Sequence, residues 1–472
     1  VVGGFLADWT QAGREAMDRL GGAARNLVEP ELRLGVTGLR RSGKTVFLTA
    51  VVDNLLKAGR LPFLDAVSEG RYRAARLRPQ PDLSVPRFAY EDHLAELHAD
   101  PPRWPEATRG VGEVRLDLRF EPGSALLRSV RSTSTLTLDL IDYPGEWLLD
   151  LGLLDQDFEG WSRATLDMAG KGPRAALAAD WLAALAEADP AAPADEARAR
   201  GLAGLYTRYL VACRDSSAHL SLLQPGRFLE PGEMAGAPVL TFCPLPPGGG
   251  RASRGSLRAV FEERFEGYKR TVVRRFFAEH FARLDRQVVL IDLLGALNAG
   301  PAALDDMRAA LDQTLAAFRH GRAGWLARIL GGRIDRVLFA ATKADHVASS
   351  QHGNLRALLS GFVAERARAI RFEGAGVETL ALASVKCTET VMTEHEGRQL
   401  YCVQGIPKGR DRPTVLFPGE LPDHPGRIGP DDAGRFNFLE FRPPPGLGRD
   451  GRGLPNVRLD AALQYLIGDR LA

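Results

Sequence analysis

The sequence predicts an α/β protein built on a mostly parallel β-sheet, with one antiparallel strand pair and a large helical insertion. Three observations carry the prediction. A short apolar strand, Leu32–Thr37, runs directly into GLRRSGKT (Gly38–Thr45) and on into the apolar helical run VFLTAVVDNLL. Val111–Phe120 and Ser132–Ile141 alternate apolar and polar residues on either side of a turn-forming EPGS, the pattern of two antiparallel strands. Later, apolar strands at Gln287–Leu293, Arg336–Ala341 and Glu378–Ser384 alternate with helical stretches at about 300–330 and 354–371, the order that joins parallel strands through helices.

The remaining elements fall into place around these. Residues 5–27 have a loose helical pattern (Phe5, Leu6, Trp9, Ala12, Ala16, Leu20), expected as a helix docked on the next domain rather than a membrane-surface anchor. Residues 60–110, rich in Pro, Arg and Asp, read as a long loop with short pieces of structure. Residues 150–235 are Ala-rich and helical, broken by ADPAAPADE, and PLPPGGGRASRGS (244–256) reads as a flexible connector. In the basic and aromatic stretch 257–277, Phe261, Phe265, Tyr268, Val272 and Phe276 recur at helical spacing. That makes a buried stripe with a charged outer face, not a nucleic-acid surface. Residues 395–450, rich in Gly and Pro, suggest irregular β structure, and Asp460–Leu471 a closing helix. The expected organisation is a helix at 1–30, a first part of the core at 31–149, the helical insertion at 150–285, and a second part of the core at 286–394. An irregular insertion at 395–450 and the last core helix within 451–472 complete it.

Composition excludes several classes. The chain has 472 residues, 45% hydrophobic and 25% charged, ordinary values for a protein with a large core. Sixty-one basic against 59 acidic residues leave a charge of +2, so no global field attracts nucleic acid. The longest apolar run, Val288–Leu297, contains Asp292 and falls short of the ~20 residues of a membrane span. The four cysteines are scattered without metal-ligand spacing, and residues 1–30 show no basic segment followed by an apolar core. Both point to reduced thiols and a cytoplasmic location. Only seven of the basic residues are lysine: Lys44, Lys57, Lys171, Lys269, Lys343, Lys386 and Lys408. Against such an arginine bias, a retained lysine marks a place where a compact ammonium does what a guanidinium fork cannot.

GLRRSGKT has the spacing of a phosphate-binding loop. Its glycines let backbone N–H groups turn inward onto phosphate oxygens, and the helix that follows aims its positive end at the same anion. The expected nucleotide contacts are Gly38, Arg40, Arg41, Ser42, Gly43, Lys44, Thr45 and Val46, with Lys44 between the terminal phosphates and the Thr45 hydroxyl on Mg²⁺. A metal-site carboxylate is also needed at a strand end. Asp142 in DYPG and Asp292 in DLLG compete. Asp142 is preferred because it ends the second arm of the strand pair and places the Gly145 N–H at a terminal phosphate, leaving Asp292 near the site or as a helix cap. Asp139 should face away from its strand neighbours and be structural. In TKAD, Asp345 can accept two hydrogen bonds from guanine that adenine does not offer, while the Lys343 stem lies along the base. In ASVKCT, Ser384, Val385 and Lys386 complete the base pocket, supplying N–H groups to the guanine O6.

Gly-X4-Gly-Lys-Thr, Asp-X-X-Gly, Thr-Lys-X-Asp and Ser-X-Lys, in this order and at strand ends, resemble the GTPase branch of P-loop proteins with their Ras-like core. GLRRSGKTVFLTAVV, IDYPGEWLLDL, LIDLLGALNAGP, FAATKADHV and ASVKCTE resemble, more narrowly, the YcjX-like family of bacterial GTP-binding proteins, from about residue 5 to the end. The resemblance implies GTP or GDP and Mg²⁺ as ligands and a link to stress response. It also implies that Thr108, just before the strand pair, closes over the γ-phosphate and the metal. Thr342 stands where the base motif has asparagine, which removes one link to the phosphate loop. Glu146 stands where small GTPases carry a water-orienting glutamine, so it is either paired or acts as a base. Arg40 and Arg41 are solvated or, alternatively, reach the transferring phosphoryl group as an internal arginine finger. The expected catalytic set is Lys44, Thr108, Gly145 and Glu146, with Thr45, Thr108 and Asp142 at the metal, slow hydrolysis, and an unknown protein effector at the insertion. Two rivals remain: an ATP-dependent kinase or ATPase with Asp292 at its metal site, and a non-catalytic scaffold that holds GDP permanently.

Overall fold

In the computed structural model, β1 (Glu31–Gly38) lies at the centre of a seven-stranded sheet whose order is β2 (Tyr72–Arg78), β3 (Gly112–Phe120), β4 (Ser134–Asp142), β1, β5 (Arg286–Ile291), β6 (Arg336–Ala341) and β7 (Gly376–Ala381). The structure describes residues 30–39, 41–107, 110–247, 253–323, 334–429 and 434–472; the helix expected at 1–30, Arg40 and Thr108 lie outside them. β1 pairs in parallel with β4 and β5, and β6 and β7 continue the parallel run. β3 is antiparallel to β4, as the alternation in the sequence requires. This is the α/β fold of a P-loop GTPase core.

Both sheet faces are covered, and the period-two alternation divides the strands' side chains between two apolar layers. Val288 and Leu290 of β5 join Leu32, Leu34 and Val36 of β1 against α1 (Lys44–Lys57) and the C-terminal helix Leu459–Ile467. Val289 and Ile291 face the other way, onto the helical segment between β4 and β5 and the helices after it. Each fully buried Leu or Ile contributes roughly 1.5–3 kcal/mol.

After β4 come α2 (Gly145–Leu149), α3 (Phe158–Ala169), α4 (Glu196–Asp215) and α5 (Leu257–Tyr268), with shorter helices among them. Asp157, Asp195 and Ser256 cap α3, α4 and α5 by accepting backbone N–H groups of Gly160, Arg198 and Ala259. Phe261, Phe265, Tyr268, Val272 and Phe276 are all buried, so the basic and aromatic stretch is a core helix, carried through a wider π-type turn at Lys269–Val273. Of the expected connector, Pro244 and Leu245 are buried and Ser256 is the α5 cap, while 248–252 lie outside the described residues.

Three sequence expectations need correcting. Residues 60–110 are not mainly loop: Tyr72–Arg78 forms β2, a sheet-edge strand antiparallel to β3. Its run YRAARLR hid it, because an exposed edge carries charge on both faces; Arg76 and Arg78 reach Asp117 of β3 at 2.9 and 3.2 Å. The β3–β4 connection contains a short helix, Ala125–Val130, rather than the EPGS turn alone. The strand expected at Glu378–Ser384 begins and ends earlier, which frees 382–388 to form a loop. Beyond it, β8 (Glu389–His395), β9 (Arg398–Gly405) and β10 (Thr414–Leu416) make a separate three-stranded antiparallel sheet. No helix among the described residues is long and apolar enough to cross a membrane.

Candidate functional site

A cleft of about 540 Å³ opens where β1, β4, β6 and β7 end. This is the edge of an open α/β sheet at which ligands are characteristically held. The turn between β1 and α1 forms its floor. Arg41 and Gly43 both take left-handed backbone conformations, φ 62° and 78°, and curl the chain so that α1 starts without a side-chain cap. The leading N–H groups of such a helix have no intrahelical acceptor and point outward. Gly38 permits the curl: a β-carbon there would sit 2.1 Å from Ser42 Oγ.

Lys44 Nζ donates to the Tyr143 carbonyl at 2.9 Å and forms an ion pair with Asp142. Asp142 is 1% exposed, and neither of its carboxylate oxygens accepts a well-formed hydrogen bond from the described residues. A buried carboxylate with unused lone pairs, beside the first turn that carries the Thr45 hydroxyl, is an oxygen-donor set suited to Mg²⁺. Asp292 is differently placed. Its Oδ2 accepts from Lys343 Nζ at 2.6 Å and its Oδ1 from the Gly295 N–H at 3.1 Å, capping the helix Leu293–Ala299. Burial works to raise its pKa, but the Lys343 ammonium and these hydrogen bonds outweigh it and hold the carboxyl below its usual range. Asp139 forms a two-pronged pair with Arg115, at 2.6 and 2.7 Å, and is structural.

At the other end of the cleft, Asp345 is 5% exposed and its Oδ2 accepts the Cys387 N–H at 2.7 Å. The Thr388 hydroxyl donates to the Asp345 carbonyl. The loop after β7 therefore fixes the orientation of the carboxylate. Thr342 Oγ1 donates to the Ile291 carbonyl at 3.3 Å, so its side chain is spent at the end of β5. Asp345, His346 and Cys387 bring one ligand atom each within 4.8 Å of the others. Burial drives the Cys387 thiol pKa well up and the His346 pKa down. A protonated thiol beside an occupied carboxylate is a pocket wall rather than a metal centre.

The cleft brings together most of the residues singled out in the sequence: Gly38, Arg41, Ser42, Gly43, Lys44, Thr45, Val46, Gly145, Glu146, Lys343, Asp345, Ser384 and Val385. Asp142 lies beneath the lining, behind Lys44. Lys386 is not among the lining residues: its side chain turns to Glu389 at 2.5 Å and its N–H donates to the Pro455 carbonyl at 2.7 Å. Arg40 and Thr108 are not among the described residues.

Sequence reasoning missed Trp104, Arg214, Glu230, Cys387, Lys408, Glu440 and Phe441, which also line the cleft. Lys408 carried a signal, being one of the few lysines in an arginine-rich chain; it pairs with Glu440 at 3.0 Å. Trp104 donates from its indole to the Phe441 carbonyl at 2.8 Å, joining the segment before Thr108 to the far wall. Arg214 and Glu230 arrive from the helical segment, and nothing local in their sequence announces it.

The helix α2 ties this cleft to the helical segment. Asp150, fully buried just after α2, accepts the Gly226 N–H at 2.8 and 3.0 Å and the Tyr268 hydroxyl at 2.5 Å. Burial, only partly offset by these donors, pushes its pKa up to about 7. The Arg227 guanidinium stacks 3.3 Å from the Trp147 ring centre.

The chain is 43% identical over 455 residues to the Ras-like GTPase YcjX of Escherichia coli (strain K12), covering 94% of this chain and 97% of that protein. It is 37% identical over 463 residues to the Ras-like GTPase YcjX of Shewanella oneidensis, covering 93% and 94% respectively. The description of the YcjX-like family, DUF463, matches residues 32–471. With the match spanning nearly the whole chain, this protein belongs to the YcjX-like family.

Proposed function

We propose that this protein binds GTP and GDP, hydrolyses GTP slowly with Mg²⁺, and acts as a nucleotide-dependent switch in the cytoplasm, with a role in the bacterial stress response. One observation carries the reading: a single cleft holds the phosphate loop at one end and a preoriented Asp345 at the other. The relatives named as Ras-like GTPases support it.

Backbone N–H groups of Gly43–Val46, at the start of α1, receive the phosphates, and Lys44 exchanges Asp142 for the terminal phosphate oxygens. Asp142 and Thr45, with Thr108 by sequence, would hold Mg²⁺, which would supply positive charge against the phosphates. A water oxygen bonds to the γ-phosphorus as the bond to the β–γ bridging oxygen breaks. The electron pair leaves with GDP and the water proton ends on phosphate. Glu146, half-buried in the lining, orients that water in this reading. Loss of the γ-phosphate releases the Gly145 N–H, and α2 transmits the change through Asp150 and Arg227 to the helical segment. The occupied state of Asp292 disfavours the ATPase reading that needs it at a metal. A permanent GDP scaffold is the remaining competitor.

Denaturing the purified protein and identifying the released nucleotide tests the ligand class, with guanine nucleotide expected. Calorimetric titration should show GDP preferred over ADP by well over tenfold, and phosphate release should stay well below ~1 s⁻¹ without a partner. Equal affinity for ADP sinks the base assignment. Bound GDP that never exchanges selects the scaffold.

A further inference from the structure

The helical segment reaches into the phosphate end of the cleft. The last turn of α4 carries Arg214, which lines the cleft together with Lys44, Thr45, Gly145 and Glu146. A second, small cavity is shared by Leu39 and Arg41 of the phosphate loop with Arg214 and His219, so the end of α4 abuts the first half of that loop. The Arg41 guanidinium donates to the Ser216 carbonyl at 3.4 Å, fastening the α4 terminus to the loop. Arg41 thus lines the cleft and touches the α4 terminus at the same time.

Arg214 is held but not consumed. Its Nε and Nη2 lie 3.1 and 3.2 Å from the Asp215 carboxylate, Nη1 lies 3.6 Å from Glu230, and its side chain stays 26% exposed. Exposed ion pairs of this kind contribute little to stability. Glu146 and Glu230 line the cleft beside Arg41 and Lys44, and a triphosphate adds further negative charge that an additional cation at this end offsets.

We infer that Arg214 is an arginine the helical segment supplies, within the same chain, to the transferring phosphoryl group. The inference rests on the GTP-hydrolysis reading and adds a second cation, beside Lys44, at the transferring group. As the bond from the γ-phosphorus to the bridging oxygen breaks, negative charge builds on that oxygen and on the departing phosphoryl oxygens. A guanidinium drawn from Asp215 and Glu230 onto them stabilises that charge more than the ground state.

The test compares wild type, Arg214→Ala and Arg214→Lys, with Arg214→Gln as a length-preserving second neutral variant should the alanine protein unfold. GDP affinity is measured by calorimetry, hydrolysis by single-turnover phosphate release, and transition-state capture by aluminium-fluoride-dependent retention of GDP. The neutral variants should keep GDP affinity within about threefold, lose hydrolysis at least about a hundredfold, and lose fluoride-dependent retention. Lysine should restore part of both. A neutral variant that hydrolyses at the wild-type rate overturns the inference, as does one whose loss lies wholly in GDP affinity. A wild type that binds GDP yet neither hydrolyses GTP nor retains the fluoride complex overturns it too. Failure of the underlying reading looks different: the wild type would then not bind GDP.

Discussion

A β-carbon built on Gly145 would lie 2.2 Å from the carbonyl oxygen of Gly38. The first glycine of the phosphate loop and the glycine that ends DYPG are thus in direct backbone contact. The adjacent register of β1 and β4, where Val36 pairs with Asp142, imposes this closeness. Glu146, the next residue, is pinned in turn: a β-carbon on Gly226 would meet its carbonyl oxygen at 2.4 Å. Phosphate loop, α2 and helical segment therefore touch through two positions that accept no side chain.

Replacing Gly145 with alanine should separate the two arms at the end where a γ-phosphate sits. The expected outcome is GDP affinity within a few-fold of wild type but binding of a non-hydrolysable GTP analogue weakened by at least about tenfold, or roughly 1.4 kcal/mol. Parallel calorimetric titrations check it. Unchanged analogue affinity would remove Gly145 from the γ-phosphate site.

Asp142→Asn tests the metal assignment. An amide keeps the shape and loses the charge that a divalent cation needs. In wild type, Mg²⁺ should strengthen analogue binding markedly; in the variant, adding EDTA should change affinity by less than about twofold. A full Mg²⁺ response in the variant would shift the metal acid elsewhere.

For the base, Asp345→Asn exchanges an acceptor for a donor at one oxygen. The Cys387 N–H can still donate to the amide oxygen, so the loop holds. Guanine loses its partner for two donors, while xanthine, with a carbonyl at position 2, gains one. GDP affinity should fall by about a hundredfold or more and xanthosine diphosphate affinity should rise. Competition titrations with the two diphosphates decide it.

Much of this was legible in the sequence, for identifiable reasons. GLRRSGKT and DYPG follow buried strands whose apolar runs fix their ends, so the placement of Lys44 and Gly145 follows from local pattern. Asp292 was legible as a helix cap because a short apolar strand stops there and a helix begins. The position of Lys386 was harder to read, because β7 ends three residues earlier than its apolar run suggests. That shift turns its side chain to Glu389 and its N–H to Pro455, and puts Cys387 in the pocket. Arg214 and Glu440 were illegible, since each reaches the cleft only through packing of segments distant in sequence. β2 was hidden because an edge strand need not show a buried face.

Asp150 makes stability fall with rising pH. Its pKa is raised in the folded protein from an ordinary 3.8 to about 7, with burial the main cause. Between those values the folded state binds a proton that the unfolded chain does not. The stabilisation is therefore fully present below about pH 4 and is lost as pH rises through about 7, a change on the order of a few kcal/mol. The half-buried and buried histidines His219, His280, His346 and His352 act with the opposite sign. Burial lowers their pKa values, so they favour the folded state as pH rises. The difference between wild type and Asp150→Asn cancels the histidines and isolates Asp150. Asparagine can still accept from Gly226 or Tyr268, and it does not ionise. The variant's melting temperature should gain on wild type from pH 5 to about pH 7 and level off above it, in thermal unfolding of nucleotide-free protein. A constant offset across that range would show that Asp150 keeps one protonation state, and that the contact between α2 and the helical segment is insensitive to pH.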